Sequence, residues 1–282
     1  MDQLVWTSRF TGFDLPRMVR QAVFVEEQGF ALEFDDRDDT SLHLSLWHDG
    51  QPAGCARLYE DEGRFHLGRV AVLPAFRKLG LGQLLVEEAG RKAARLGGKT
   101  LELSAQCHAL PFYEKLGYRP LGEPYLDEHC PHQDMILSIG QDEPDVDWFS
   151  PGEPCPQGLE LRRRVFGEEL GIRSEDGPVD SRSHLLLLSR EGKAIACARL
   201  TPQDGQTVKF SRLAVDPDCR GQGLGGRLLE NLQFRGMELG FREGWLSARE
   251  AVLPFYQKMG FLPQGETFFE EGEPHRKVWA RL

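Results

Sequence analysis

The chain repeats itself once, at a spacing of 143 residues, and this constrains its fold more than any other feature. Residues 77–82 read RKLGLG and residues 220–225 read RGQGLG, so that Arg220 lies 143 positions after Arg77. The same offset relates LPFYEKLGY (110–118) to LPFYQKMGF (253–261) and EHCPH (128–132) to EGEPH (271–275). An offset of 142 relates VFVEE (23–27) to VFGEE (165–169) and CARL (55–58) to CARL (197–200). A period near 140 is far longer than a solenoid repeat and matches the size of an ordinary domain. Trp6 maps to Trp148, and DMILSI (134–139) maps to KVWARL (277–282) at the last residue. The chain therefore reads as two tandem domains, 1–141 and 145–282, with a short joint.

Composition suits two compact cores. The 282 residues are 40% apolar, and no apolar run approaches the ~20 residues of a membrane span. The start, MDQLVWTSRF, has neither a basic nor an apolar region of a secretory signal, and the six cysteines contain no CxxC pair. Together these point to a reducing cytoplasm, with Cys55 and Cys197 as buried thiols in matching strands. The net charge is −10, and the acidic excess sits mostly in the first repeat, which argues against nucleic acid as a partner. The run EFDDRDDTS (33–41), just before His43, is the place where a cationic acceptor is expected.

Each repeat reads as a mixed α/β unit. An amphipathic helix is expected over 15–28 and again over 158–170, followed by a polar loop, 33–41 and 174–183, and strands near 42–48 and 53–60. A third strand (68–74) leads into the glycine loop and a helix over 83–96. A strand over 100–105, a short helix over 109–117 and one closing strand complete the copy. Two glycines between a strand and a helix allow positive φ, expose backbone N–H groups and aim the positive end of the helix dipole at an anion.

RVAVLPAFRKLGLGQLL and RLAVDPDCRGQGLGGRLL resemble the acetyl-CoA motif of GNAT-type N-acetyltransferases, Arg/Gln-x-x-Gly-x-Gly/Ala between a strand and a long helix. FYEKLGY and FYQKMGF resemble the same family's later element, and VFVEEQ, the ARL strand, AQCHALPFY and the late PH are most similar to its ElaA branch. The resemblance implies two tandem GNAT acyltransferase domains, each a mixed central sheet flanked by helices. It implies acetyl-CoA as cosubstrate and the primary amine of a small molecule as acceptor, with no nucleic acid, membrane or metal involved, in a monomer or homodimer. The pyrophosphate would lie on backbone amides of Arg77, Lys78, Leu79, Gly80, Leu81 and Gly82, and of Arg220, Gly221, Gln222, Gly223, Leu224 and Gly225. The pantetheine would pair with Val70, Ala71 and Val72, and with Leu213, Ala214 and Val215.

Tyr113 and Tyr256 are the expected proton donors to the departing thiolate, since a phenol keeps its proton until that charge develops. The base is harder to read. Some family members place a glutamate on the strand before the glycine loop, but FHLGRVAV and KFSRLAV contain no carboxylate. Glu26 and His43, with Glu168 and His184 at the matching positions, are the chosen bases; Glu27, His132, Glu169 and His275 stand beside them as alternatives. The copies differ near the tyrosine, where Gln106 and His108 become Arg249 and Ala251. An acyl-CoA-binding regulatory protein with one or both copies non-catalytic is the alternative. HCPH (129–132) keeps one of three possible metal ligands in copy two, and GQGLGG (221–226) fits a dinucleotide pattern that copy one lacks.

Overall fold

The computed structural model describes residues 1–169, 171 and 178–282. Backbone contacts divide the chain into Met1–Asp142 and Glu143–Leu282. In the first unit, β1 (Asp2–Thr7) is followed by α1 (Arg9–Gly12), then by α2 (Asp14–Arg20), which runs on as a π-helix over Gln21–Glu27. A 3₁₀ turn at Asp36–Thr40 leads into β2 (Leu42–His48), β3 (Gln51–Asp61) and β4 (Arg64–Val72). α3 (Leu81–Arg95), β5 (Thr100–Gln106), α4 (Leu110–Lys115), β6 (Arg119–Asp127) and β7 (Cys130–Ser138) complete it. The sheet order is β1-β2-β3-β4-β5-β7-β6, antiparallel except for β4 beside β5. The closing strand expected from sequence is thus a hairpin, whose outer strand β6 is exposed throughout and has no apolar alternation to announce it.

The second unit repeats this plan. β8 (Asp145–Phe149), α5 (Pro156–Arg162) and a π-helix over Arg163–Glu169 are followed by β9 (His184–Arg190), β10 (Lys193–Pro202) and β11 (Thr207–Val215). Then come α6 (Leu224–Glu238), β12 (Glu243–Arg249), α7 (Leu253–Lys258), β13 (Leu262–Glu270) and β14 (Glu273–Arg281). The order β13-β14-β12-β11-β10-β9-β8 matches that of the first unit. Residues 174–177 of the loop expected over 174–183 lie outside the described residues; its end forms a 3₁₀ turn at Asp180–Arg182.

Two features position the site. The first is close packing of the long helix: α3 buries Leu81, Leu85, Ala89 and Ala93 in a helical stripe against the sheet. A Cβ at Gly54 would lie 2.6 Å from the Ala71 carbonyl oxygen and 3.2 Å from Leu85 Cδ1, so β3 needs glycine there. The second is a bulge in β4. Cys55 faces Ala71 and Arg57 faces Gly68, so Arg69 and Val70 together oppose Ala56, and Arg69 takes φ +54°. β4 pairs with β5 only at Phe65 with Leu101 and His66 with Glu102, and beyond the bulge the two strands part. β11 carries the same bulge at Arg212, φ +55°, and pairs with β12 only as far as Lys209 with Trp245.

Beneath each bulge lies a buried ion cluster. In the first unit Arg20 reaches Asp38 at 2.7 Å and Glu33 at 2.6 Å, and Arg57 reaches Asp38 at 2.9 Å and Asp35 at 2.6 Å. Burial pushes the Asp38 carboxyl up, and the two guanidiniums more than offset it, so Asp38 stays below the usual range. Arg162, Asp180 and Arg199 form the same clamp in the second unit, at 2.5 and 3.0 Å. The acidic run expected to greet a cationic acceptor is therefore largely spent on arginines, while Asp36 and Asp39 stay on the surface.

Candidate active site

Each unit opens a cleft where its sheet parts. Cleft one, about 590 Å³, is walled by the end of β4, the end of β5, the π-helix, α4 and the β6–β7 hairpin. Cleft two, about 480 Å³, is built from the corresponding β11, β12, α7 and hairpin segments. Val70, Ala71 and Val72 line the first; Leu213 and Val215 line the second. Ladder bonding to β5 ends at His66, so the backbone beyond the bulge is placed to take an extended ligand as a strand would.

The glycine loops open the long helices with left-handed turns. Gly80 and Gly223 have φ of +79° and +76° and sit directly before α3 and α6, and no side chain caps either helix. The first amides of each helix have no partner within it and point outward. In copy one the other left-handed position is Lys78, φ +64°, where copy two has Gly221, φ +77°. Arg77 does not hold its side chain free for a phosphate. Its guanidinium is bidentate on Glu27 at 2.7 and 2.5 Å and its Nε donates to the Val72 carbonyl at 3.0 Å. Arg220 makes the same fork with Glu169 at 2.7 and 2.6 Å. The π-helices turn Glu27 and Glu169 to these arginines, leaving Glu26 and Glu168 exposed and outside the clefts.

Tyr113 lines cleft one from α4, and Tyr256 lines cleft two from α7. Burial pushes the Tyr113 phenol up to about 12, and burial likewise raises Tyr256. Both phenols keep their protons at neutral pH, as a donor must. Neither hydroxyl has a hydrogen-bond partner among the described residues.

The histidines part company with the sequence expectation. His43 is fully buried, its Nε2 donating to the Asp38 carbonyl at 3.0 Å and its ring edge-on to Phe13 at 4.6 Å. Burial pushes it down to about 4, so it is neutral and away from the cleft. His184 is half-buried and also outside its cleft, lowered by burial and by Arg235. The reason is strand geometry: β2 and β9 lie between two neighbours, so their first residues are enclosed by the sheet and its covering helix rather than by the acceptor face. His132 and His275 line the clefts instead. Each donates Nδ1–H to a nearby carbonyl, Cys130 and Glu273, at 2.9 Å, which leaves the lone pair of the neutral ring on Nε2.

One cleft residue escaped the sequence reading as a distinct group. Glu33, the first acid of the 33–41 run, lines cleft one while 5% exposed, between Arg20 and Arg69 at 2.6 and 3.0 Å. Burial raises its carboxyl against those arginines. Nothing in local sequence separates it from Asp35 or Asp36; only the fold does. Among the described residues no group of three or more His, Cys, Asp or Glu is placed to hold a metal.

Models of the Acetyltransferase (GNAT) domain match residues 17–139 and 181–263. An uncharacterized N-acetyltransferase of Bacillus subtilis, YjcF, is 36% identical over 42% of this chain and 86% of its own length. Protein ElaA of Escherichia coli is 29% identical over 44% of this chain and 85% of its own. A crystal structure of an acyl-CoA N-acyltransferase from Pseudomonas aeruginosa is 27% identical, covering 49% of this chain and 99% of that one, with a TM-score of 0.45.

Proposed function

The chain belongs to the GNAT acetyltransferase family, and from that premise we propose that it is an N-acetyltransferase that moves an acetyl group from acetyl-CoA to the primary amine of a small molecule. The observation that carries this reading is the coincidence, in both units, of a sheet opened by a bulge, an uncapped helix start behind glycine, and a tyrosine and histidine facing one cleft.

Acetyl-CoA supplies the acyl group as a thioester, which an uncharged amine can attack. The amides of Arg77 to Gly82 and of Arg220 to Gly225 hold its pyrophosphate, and the strand ends at Val70 to Val72 and Leu213 to Val215 align its pantetheine arm. His132 and His275 take the amine proton on Nε2. Tyr113 and Tyr256 give a proton to the sulfur as the C–S bond breaks, so each transfer closes with one proton taken and one given. The carboxylates Glu27 and Glu169 position the loops through Arg77 and Arg220 and take no part in proton transfer. The reaction fits a cytoplasmic protein, where acetyl-CoA is made and thiols such as Cys55 stay reduced.

The test is amine-dependent release of CoA thiol. Purified protein with acetyl-CoA and a panel of primary amines is expected to release thiol faster than either component alone. Calorimetry is expected to give heat with acetyl-CoA and none with NAD. Tight NAD binding without acetyl-CoA binding would overturn the reading.

A further inference from the structure

One sheet face, which runs into the cleft of each unit, carries opposite charge at matching positions in the two copies. In unit one, the row across β4, β5 and β7 is His66, Glu102 and Ile136; in the next rows Ser104 faces Asp134 and Gln106 faces His132. In unit two the rows are Lys209, Trp245 and Trp279, then Ser247 with Lys277 and Arg249 with His275. Two carboxylates and no cation have become three cations and no carboxylate.

These cations stand together, and the carboxylates that line the cleft, Glu270 and Glu271, form no ion pair with them. Lys209 and Arg249 line cleft two with Tyr256 and His275. The Lys209 and Lys277 ammonium groups lie 4.8 and 5.0 Å from the centre of the same Trp245 ring, and Trp245 stacks on Trp279. Burial lowers the Lys209 pKa; Glu270 works against this, and Arg199, Arg212 and Lys277 add to it. Arg199 already binds Asp180. Lys209, Arg249 and Lys277 have no ion pair with a described carboxylate. Partly desolvated cations that repel one another are completed by an anion. Cleft one differs on this same face: the Tyr125 hydroxyl bonds Ser104 and donates to Asp134 at 2.9 Å, and Phe268 and Lys277 replace that tyrosine and aspartate.

We propose that cleft two recognises a primary amine that also bears a carboxylate or phosphate, with Lys209 and Arg249 binding the anionic group and the amine turned to His275 and Tyr256. This rests on the acetyl-transfer reading and gives it a substrate class for one copy. The two copies then serve different acceptors.

The experiment compares matched amines on the full-length protein: glycylglycine against glycylglycinamide, and phosphoethanolamine against ethanolamine. Binding is measured by calorimetry with CoA present, and transfer by thiol release. The wild type is expected to bind the anionic member of each pair at least ~10-fold more tightly. Lys209→His with Arg249→Gln, which installs the residues of copy one, is expected to abolish that preference while leaving acetyl-CoA affinity unchanged. Lys209→Arg with Arg249→Lys keeps both charges and is expected to retain the preference, which separates charge recognition from misfolding. Equal binding within the pairs, or a preference that survives the first double variant, overturns the proposal. An anion preference without transfer to any amine would count instead against the transferase reading.

Discussion

Single atoms decide which of the candidate residues can take part in chemistry. Tyr113 lines the cleft with its phenol raised to about 12, so it is protonated at any pH the protein meets. Tyr113→Phe removes one oxygen and keeps the ring, and is expected to lower the single-turnover transfer rate by ~10²–10⁴-fold with acetyl-CoA affinity nearly unchanged. Tyr256→Phe is the same test for copy two, and unchanged rates in both single variants and in the double variant would remove tyrosine as the acid. His43 gives a prediction of another kind. Its folded pKa of about 4 lies below the ordinary value of 6.5, so the folded state binds fewer protons than the unfolded one between those values. The stability it contributes is present above pH 6.5 and is lost as the pH falls toward 4, with a slope of about 1 kcal/mol per pH unit. Urea unfolding from pH 7 to 5 checks this: His43→Gln, whose amide can still donate to the Asp38 carbonyl, is expected to flatten the pH dependence of the first unit. Parallel curves for the two proteins would show that His43 titrates normally.

Elements set where those atoms sit, and here the sequence was legible to different depths. The glycine loops and their helices were readable because a strand, a left-handed turn and a helix leave a pattern within twenty neighbouring residues, and it occurs twice. The β-bulge was not readable, because its left-handed positions are arginines, Arg69 and Arg212, where glycine would have signalled the turn. Nor was the π-helix, which moves the carboxylate facing the loop from Glu26 to Glu27; an inserted residue per turn leaves no mark on apolar spacing as short as VFVEE. The consequence is testable. Glu27 is exposed and holds Arg77 by a fork of two hydrogen bonds, so its contribution is that of a surface ion pair. Glu27→Gln is expected to raise the acetyl-CoA dissociation constant about 2–5-fold with kcat retained, measured by calorimetry and initial rates. A fall in kcat of orders of magnitude at unchanged affinity would make Glu27 a base and the fork incidental.

At the scale of the whole molecule the duplication poses a question of number: does one chain hold two coenzymes? The cups are alike in backbone, since Gly80 and Gly223 share their left-handed φ, lack a capping side chain and would place a Cβ in open space. They differ at the preceding left-handed position, where Lys78 pays a strain of about 1 kcal/mol that Gly221 avoids. This difference closes neither cup, so two sites of similar affinity are expected. A carboxylate placed in the cup would repel the pyrophosphate, and beyond a local backbone strain of about 1 kcal/mol at these left-handed positions it meets no core atom. Gly80→Glu and Gly223→Glu are each expected to lower the calorimetric stoichiometry of acetyl-CoA from two to one, and the double variant to abolish binding. The variants also divide the activity: Gly223→Glu should remove transfer to amines bearing a carboxylate or phosphate and spare transfer to neutral ones, with Gly80→Glu doing the converse. If Gly80→Glu alone abolished all binding while Gly223→Glu changed nothing, the second copy would hold no coenzyme, and its cations would belong to a binding module without chemistry.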